Sequence, residues 1–432
     1  MTTGVERPKP VRFTDLAHPV FPEAARPIRD ALAGYGAILE LTPEAMLATA
    51  AERTGLDDWG DNGFRERLDV LCWSLREEAG LSDVGVAVAF EQLVGNLVNR
   101  LRLEALIATH PEIDDIAIER PIIICGLPRT GTTHLHNLIA ADPNLRYLPY
   151  WESLEPFPGA DDPGTDDAVP LPESLRSCPP EEQARRERCS AGLDLVETSM
   201  PDFKRMHDMT VDHAHEEIQL LANDISGMLF ETTYYLPTFA AHYKSHDQAP
   251  SYAYLKRQLR AMQWLRGGTR WVLKSPQHLE QFPTLYATFP DATFVVTHRD
   301  PVEVTRSMVT MIAYASRMAC AQPNPAKIAR YWLDRADDLF SGCLRDRDVL
   351  PANQSIDVRF TDFMADEQGT LSAIYALASQ PYDTEVRSAM ADFIAEHPRG
   401  RYGEVSYDLD DVGLHPDEVT ERLSAYRDRF VG

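Results

Sequence analysis

Arg120-Pro121 is followed by Ile122-Ile123-Ile124-Cys125, an uninterrupted apolar run that stops at Gly126. A short continuous run, rather than an alternating one, reads as a strand buried on both faces, and so as part of a parallel sheet covered by helices. The next residues, Gly126-Leu127-Pro128-Arg129-Thr130-Gly131-Thr132-Thr133, lead into the helical pattern His134 to Ala141. The Gly126-to-Gly131 spacing between strand and helix is that of a phosphate-binding loop. Small residues let backbone N–H groups converge on an anion at a helix N-terminus, where the dipole also favours negative charge. Thr132 and Thr133 add hydroxyl donors.

Two further runs have the same character, Trp271-Val272-Leu273 and Thr293-Phe294-Val295-Val296-Thr297, with a weaker fourth at Ser355 to Arg359. Helical patterns lie between them: His213 to Phe230, Tyr252 to Leu265, Pro301 to Met318 and Pro325 to Leu344. Strands alternating with helices predict an α/β fold, a P-loop-type doubly wound parallel sheet flanked by helices. Residues 1–119 read differently, as an N-terminal helical extension packed on the core. Asp15 to Ala25, with Pro19 and Pro22, reads as an extended arm. Thr42 reads as a helix cap, and Phe64 to Glu78 and Val84 to Ile107 as amphipathic helices. The stretch Phe157 to Pro180, rich in Pro, Gly and Asp, reads as a long loop or lid.

The net charge of −25 argues against a nucleic-acid partner and against an anionic membrane surface, but not against an anionic ligand in a locally basic site. Six cysteines form neither a CxxC pair nor a zinc spacing, which fits free thiols in a reducing compartment. Met1 to Pro22 has no apolar signal-peptide core, and no run is long enough to span a membrane, so the expected location is the cytoplasm. A homo-oligomer is compatible with all of this.

The loop departs from a nucleotide-hydrolysing one. Thr132 stands where such a loop has its Lys, the cation sits inside the loop at Arg129, and no strand ends in the Asp that would hold Mg²⁺. The strands end at Lys274 and at Thr297-His298-Arg299 instead. A P-loop kinase, or another nucleotide-binding protein with an atypical loop, is the alternative this leaves. The pattern points to a phosphate cradle served by protein cations, with no metal.

Pro128-Arg129-Thr130-Gly131-Thr132-Thr133 resembles the 5′-phosphosulfate loop of sulfotransferases, which use 3′-phosphoadenosine 5′-phosphosulfate (PAPS) and release adenosine 3′,5′-bisphosphate (PAP). That family has a strand ending in Arg and, eight positions on, a helical Ser, both on the 3′-phosphate; Arg299 and Ser307 match. Leu273-Lys274-Ser275-Pro276 is similar to the bacterial branch's Lys-Ser-Pro strand end. Arg399-Gly400-Arg401-Tyr402-Gly403 resembles its C-terminal loop over the 3′-phosphate. Arg359-Phe360-Thr361-Asp362 is similar to its late strand and turn, but Phe360 and Thr361 depart from the usual Tyr-Glu, so no contact is carried over there.

The resemblance spans about Arg120 to Leu414 and implies a PAPS-dependent sulfotransferase domain over 120–432. The implied acceptor is the hydroxyl of a small-molecule or glycolipid-type compound. Cofactor contacts are then expected from Arg129, Thr130, Gly131, Thr132, Thr133, Arg299, Ser307, Arg399, Gly400 and Arg401. Lys274 is the cation expected at the transferring group: the chain has six Lys against 36 Arg, and one of them ends an apolar strand. Three residues compete for the role of base. His278 lies four positions after Lys274. Glu217 falls on the edge of a helical apolar face at 100° per residue, with Glu216 pointing away. His134 directly follows the loop. His207, His213 and His215 lack a carboxylate or Cys at ligand spacing, so no metal is expected there.

Overall fold

Four short strands, β1 (Ile122–Cys125), β2 (Val272–Ser275), β3 (Thr293–His298) and β4 (Ser355–Arg359), form one parallel sheet in the order β2-β1-β3-β4. The computed structural model describes residues 8–159, 180–398 and 400–432. β1, β2 and β3 are buried along their whole length, as continuous apolar runs require. The pleat divides them between two cores. Ile123, Cys125, Leu273, Phe294 and Val296 join the large cluster on one face. Ile122, Ile124, Val272 and Val295 join Leu135, Ile139 and Tyr375 on the other.

The chain passes from β1 to β2 on one side and returns to β3 on the other. The strand order therefore reverses at β1, and ligands of open α/β sheets bind beyond the strand ends at such a point. In register, Ile124 lies beside Lys274, and Cys125 lies between Ser275 and Val296. The phosphate-type loop, Lys274 and Arg299 thus emerge at the same end of the sheet.

The helices before β1 include Pro43–Thr54, Phe64–Glu77 and Asp83–Thr109. Thr42 caps the first, accepting the Ala45 N–H at 3.2 Å. They build a separate apolar cluster that also takes in Ala222, Ile225, Phe230, Tyr234, Phe239 and Ala319 from after β1. The expected extended arm, Asp15 to Ala25, is bent at its start, where the His18 N–H donates to Asp15 O at 3.1 Å, and from Glu23 the chain turns into the helix Arg26–Gly36; the bridge to Val405 lies ahead of it, at Val11. The expected lid falls almost wholly outside the described residues.

The helix expected over His213 to Phe230 is broken. Only Ile218–Ala222 and Leu229–Thr233 are α-helical, and between them Ile225 has φ of 51°. A β-branched residue is strained there, so its surroundings must enforce the conformation. Those surroundings come from the long helix Asp83–Thr109. Asn96 and Asn99 donate to Asn223 Oδ1 at 2.9 and 3.2 Å, and Arg100 meets Asp224 at 2.8 Å. Ser251 donates to Asp224 at 2.6 Å, and Asn223 donates to Gln258 at 2.8 Å. A buried network of this extent, in which Asn96 Oδ1 alone among the side chains named is buried without a partner, holds the segment in this conformation.

Candidate active site

Gly126 and Gly131 are required by geometry. A Cβ on Gly126 would stand 1.9 Å from Thr297 Oγ1, and Gly131 has φ of 90°. Arg129 also has positive φ, 74°, a conformation costly for a residue with a side chain. Thr130 is buried and ties the loop to β3: its hydroxyl meets Thr297 Oγ1 at 2.7 Å and donates to Leu127 O at 2.7 Å. Thr132 opens the helix Thr132–Ala140, so the loop's amides lie at a helix N-terminus.

A cavity of about 1470 Å³ opens from this end of the sheet. Arg129, Gly131, Thr132, Thr133, His134, Arg299, Gly400 and Arg401 border it. Arg299 donates to Arg129 O at 2.8 Å and lies 4.3 Å over the Phe360 ring. Phe360 also packs near Gly131. This aromatic platform joins the two basic segments and was not drawn from the sequence. Asp300 caps the helix Pro301–Ala315 behind Arg299, and two turns along it the Ser307 hydroxyl is buried without a partner, next to the cavity-lining Met308 but not itself bordering the cavity. Arg401 pairs with Asp208 at 2.7 Å. Arg399 lies outside the described residues. Lys204 and Arg205, also unforeseen, border the cavity as well.

Lys274 is 3% exposed and, like Glu217 and His278, does not itself border the cavity; its ammonium pairs with Glu216. Glu216, not Glu217, borders the cavity. The expected orientation is reversed because the helix begins only at Ile218, so helical periodicity does not extend back to the pair. Glu217 is fully buried: one oxygen accepts the backbone N–H of Lys274 at 2.7 Å and the other meets His278 Nε2 at 2.6 Å. His278 is 1% exposed, and its Nδ1 is 2.9 Å from Tyr252 OH. Neither Glu217 nor His278 borders the cavity, which departs from the expectation that one of them faces an acceptor as base. His134 does border it, but its Nε2 is engaged by Glu367 at 2.5 Å.

His207, His213 and His215 line the wall near Lys274. His213 Nε2 lies 3.0 Å from His215 Nδ1. Burial, then the Lys274 and Arg129 cations, push His207 down to about 4. Burial and His207 bring His213 to about 4 as well. Both are therefore neutral near pH 7. Among the described residues, one group of side chains converges at metal-ligand spacing, Glu66 with His242 and His246, and none of them borders the cavity.

No described helix is long and apolar enough to cross a membrane. Residues 121–385 match the profile of the sulfotransferase family. The fold is similar to that of the sulfotransferase STF1 from Mycobacterium tuberculosis H37Rv, with a TM-score of 0.75 and 30% identity over 89% of this chain and 98% of that one. It is also similar to the sulfotransferase STF9 from Mycobacterium avium, with a TM-score of 0.79 and 25% identity over 91% and 97%. No curated protein matches the chain in sequence.

Proposed function

The chain belongs to the sulfotransferase family, and from that premise we propose that it moves a sulfuryl group from PAPS to the hydroxyl of a small-molecule acceptor, releasing PAP. The observation that carries the donor assignment is the Ser307 hydroxyl, buried without a partner two turns beyond Arg299. A donor with phosphates at two positions needs two anion sites. The loop after β1 supplies one, and Arg299 with Ser307 supplies the other. Arg129 Nε and Arg401 Nε are further buried donors without partners on this side of the molecule.

PAPS, when bound, supplies an activated sulfuryl group with a phosphate as its leaving group. Arg129 and the amides of Gly131, Thr132 and Thr133 hold the 5′-phosphate and take up the charge left on it. Thr130 keeps the loop in place through Thr297. Arg299, Ser307, Gly400 and Arg401 hold the 3′-phosphate, and Arg399 joins them in this assignment. The Lys274 ammonium serves the transferring group. An anionic donor competes with Glu216 for that ammonium, and the carboxylate so released accepts the proton of the acceptor hydroxyl. Glu217 and His278 act as positioning residues: together they fix the backbone from which Lys274 projects.

Thermal unfolding with PAP beside ATP–Mg²⁺ tests this reading. PAP at a hundredfold excess over its Kd should stabilise by about 2.7 kcal/mol. Stabilisation by ATP–Mg²⁺ and not by PAP would overturn the donor assignment in favour of a kinase-like protein.

A further inference from the structure

The cavity is larger than the donor alone explains. Pockets for one small ligand run to roughly 300–1,000 Å³, and this one has about 1470 Å³. Its far part is built from two facing helices. The helix Pro301–Ala315 starts beside Arg299 and presents Met308, Met311, Ile312 and Ala315 to the cavity, a stripe that continues at Met318 in the following turn. That spacing is one face of a helix. No side chain in the stripe carries a hydroxyl, an amide or a charge. From Met308 to Met318 it runs ~15 Å at the helical rise, away from the phosphate sites. Met200, Met228 and Leu229 add to the same lining.

The facing wall is the helix Asp83–Thr109, through Val88, Glu91, Gln92, Gly95 and Asn96. Most of its polar groups are engaged within the protein, and Asn96 Oδ1 is the exception, buried without a partner. Glu91 pairs with Arg53 at 2.7 Å and accepts from Tyr35 at 2.7 Å. Gln92 accepts from Tyr234 at 3.1 Å, and Asn96 donates to Asn223 at 2.9 Å. A sugar or other polyhydroxylated acceptor laid along this chamber would leave most of its hydroxyls facing methionines, without partners. An apolar body would not, and flexible thioether side chains adapt to irregular apolar shapes.

We infer that the acceptor is an alcohol carried at one end of an elongated apolar body, lying along the Met308–Met318 stripe with its hydroxyl at Glu216 and Lys274. The inference rests on the sulfotransfer reading above and narrows its acceptor class. It also gives the helices before β1 a part in substrate choice, since they form the chamber's second wall.

Gly95 provides the test. It lies in a helix with ordinary backbone, it borders the cavity, and a Cβ built there meets nothing within 4 Å. Gly95→Phe therefore starts from an unobstructed Cβ, places a ring on the wall of the chamber and improves helix propensity. Ala315→Asp, on the opposite wall, puts a charge on the stripe.

The probes are decan-1-ol and D-glucose, titrated into PAP-saturated protein by calorimetry and assayed as acceptors from PAPS by PAP release. Decan-1-ol should bind and be turned over, and D-glucose should do neither. Both variants should lose decan-1-ol affinity by about tenfold or more, the equivalent of two methylenes excluded from an apolar site, while their PAP-induced thermal shift matches that of wild type. Binding and turnover of D-glucose in place of decan-1-ol would overturn the inference, as would decan-1-ol affinity that both variants leave unchanged. Loss of the PAP shift in the wild-type protein would instead strike the donor reading, so the two failures are distinguishable.

Discussion

Glu217 holds Lys274 by its backbone and not by its ammonium: the carboxylate accepts the Lys274 N–H at 2.7 Å, and the ammonium is left to Glu216. Two adjacent carboxylates therefore do different work on one lysine. Glu216→Gln should lower turnover by about 10²-fold or more, the usual worth of a positioned proton acceptor, and it should also lower the melting temperature, because it leaves the buried Lys274 ammonium without its counter-charge. Glu217→Ala strands a buried N–H and should cost about 1–3 kcal/mol of stability in denaturant unfolding. Full activity in Glu216→Gln would remove it from the acceptor's proton transfer.

In the proposed mechanism Arg129 and Lys274 face charge that develops during transfer, so Arg129→Ala and Lys274→Ala should each cut kcat by roughly 10²–10³-fold. Because the proposed mechanism uses protein cations and no metal, EDTA should leave turnover intact. Near-normal kcat in both variants, or activity restored only by Mg²⁺, would contradict the mechanism.

Asp224 joins Arg100 and Arg67 to the strained turn at Ile225. Arg100 is 1% exposed, so Asp224→Ala leaves a buried guanidinium without its counter-charge and should cost about 3 kcal/mol in urea unfolding. Arg67→Ala should cost less, because Arg67 is more exposed and Asp224 keeps Arg100. The Asp224 loss should also lower activity, since this turn follows directly on the segment bearing Glu216. A stability change below about 1 kcal/mol would mean that the turn relaxes without the network.

The parts legible in the sequence are those with local signals. The run Ile122–Cys125, the glycine spacing of its loop, and Lys274 and Arg299 at strand ends each depend on a few neighbouring residues, and the fold places them as read. The break at Asn223–Gly227 is set by Asn96, Asn99 and Arg100, more than a hundred residues earlier, and periodicity carries no trace of it. The same break undid the orientation of Glu216 and Glu217, since a 100° step has meaning only inside a helix. Phe360 departs from the usual residue of the family's late turn, so that motif carries no contact for it; only the fold brings β4's exit against the loop and sets the ring under Arg299. The helices before β1 carry no motif to say which of their residues line a pocket, so Val88 and Gly95 are identified as cavity wall only in the fold.

His207 and His213 make stability depend on pH in a defined direction. In the unfolded chain both titrate near 6.5; in the folded protein each is depressed to about 4. Between these values the unfolded state binds more protons, so stability is full above about pH 6.5 and falls as pH drops towards 4. The melting temperature should decline across that window, and His207→Gln and His213→Asn should each make the decline shallower. An unchanged slope in both variants would show that these imidazoles are not held neutral by the fold.

Arg299 separates the two ends of the donor. It is assigned to the 3′-phosphate, remote from the bond that breaks, whereas Arg129 and Lys274 are assigned to the 5′ end. A contact made equally in ground and transition states governs binding more than chemistry. Arg299→Ala should therefore weaken PAPS and PAP by about 1.5–3 kcal/mol, the worth of a charge-assisted hydrogen bond. Binding of adenosine 5′-phosphosulfate, which has no 3′-phosphate, should scarcely change. Arg299 also braces Arg129 O at 2.8 Å, so a purely structural role predicts the opposite pattern: a loosened loop would weaken ligands with and without the 3′-phosphate alike. Titrating wild type and Arg299→Ala with PAP and with adenosine 5′-phosphosulfate decides between them. Equal losses would leave the donor resting on the loop after β1 alone, and selective loss of PAP would place the 3′-phosphate at Arg299.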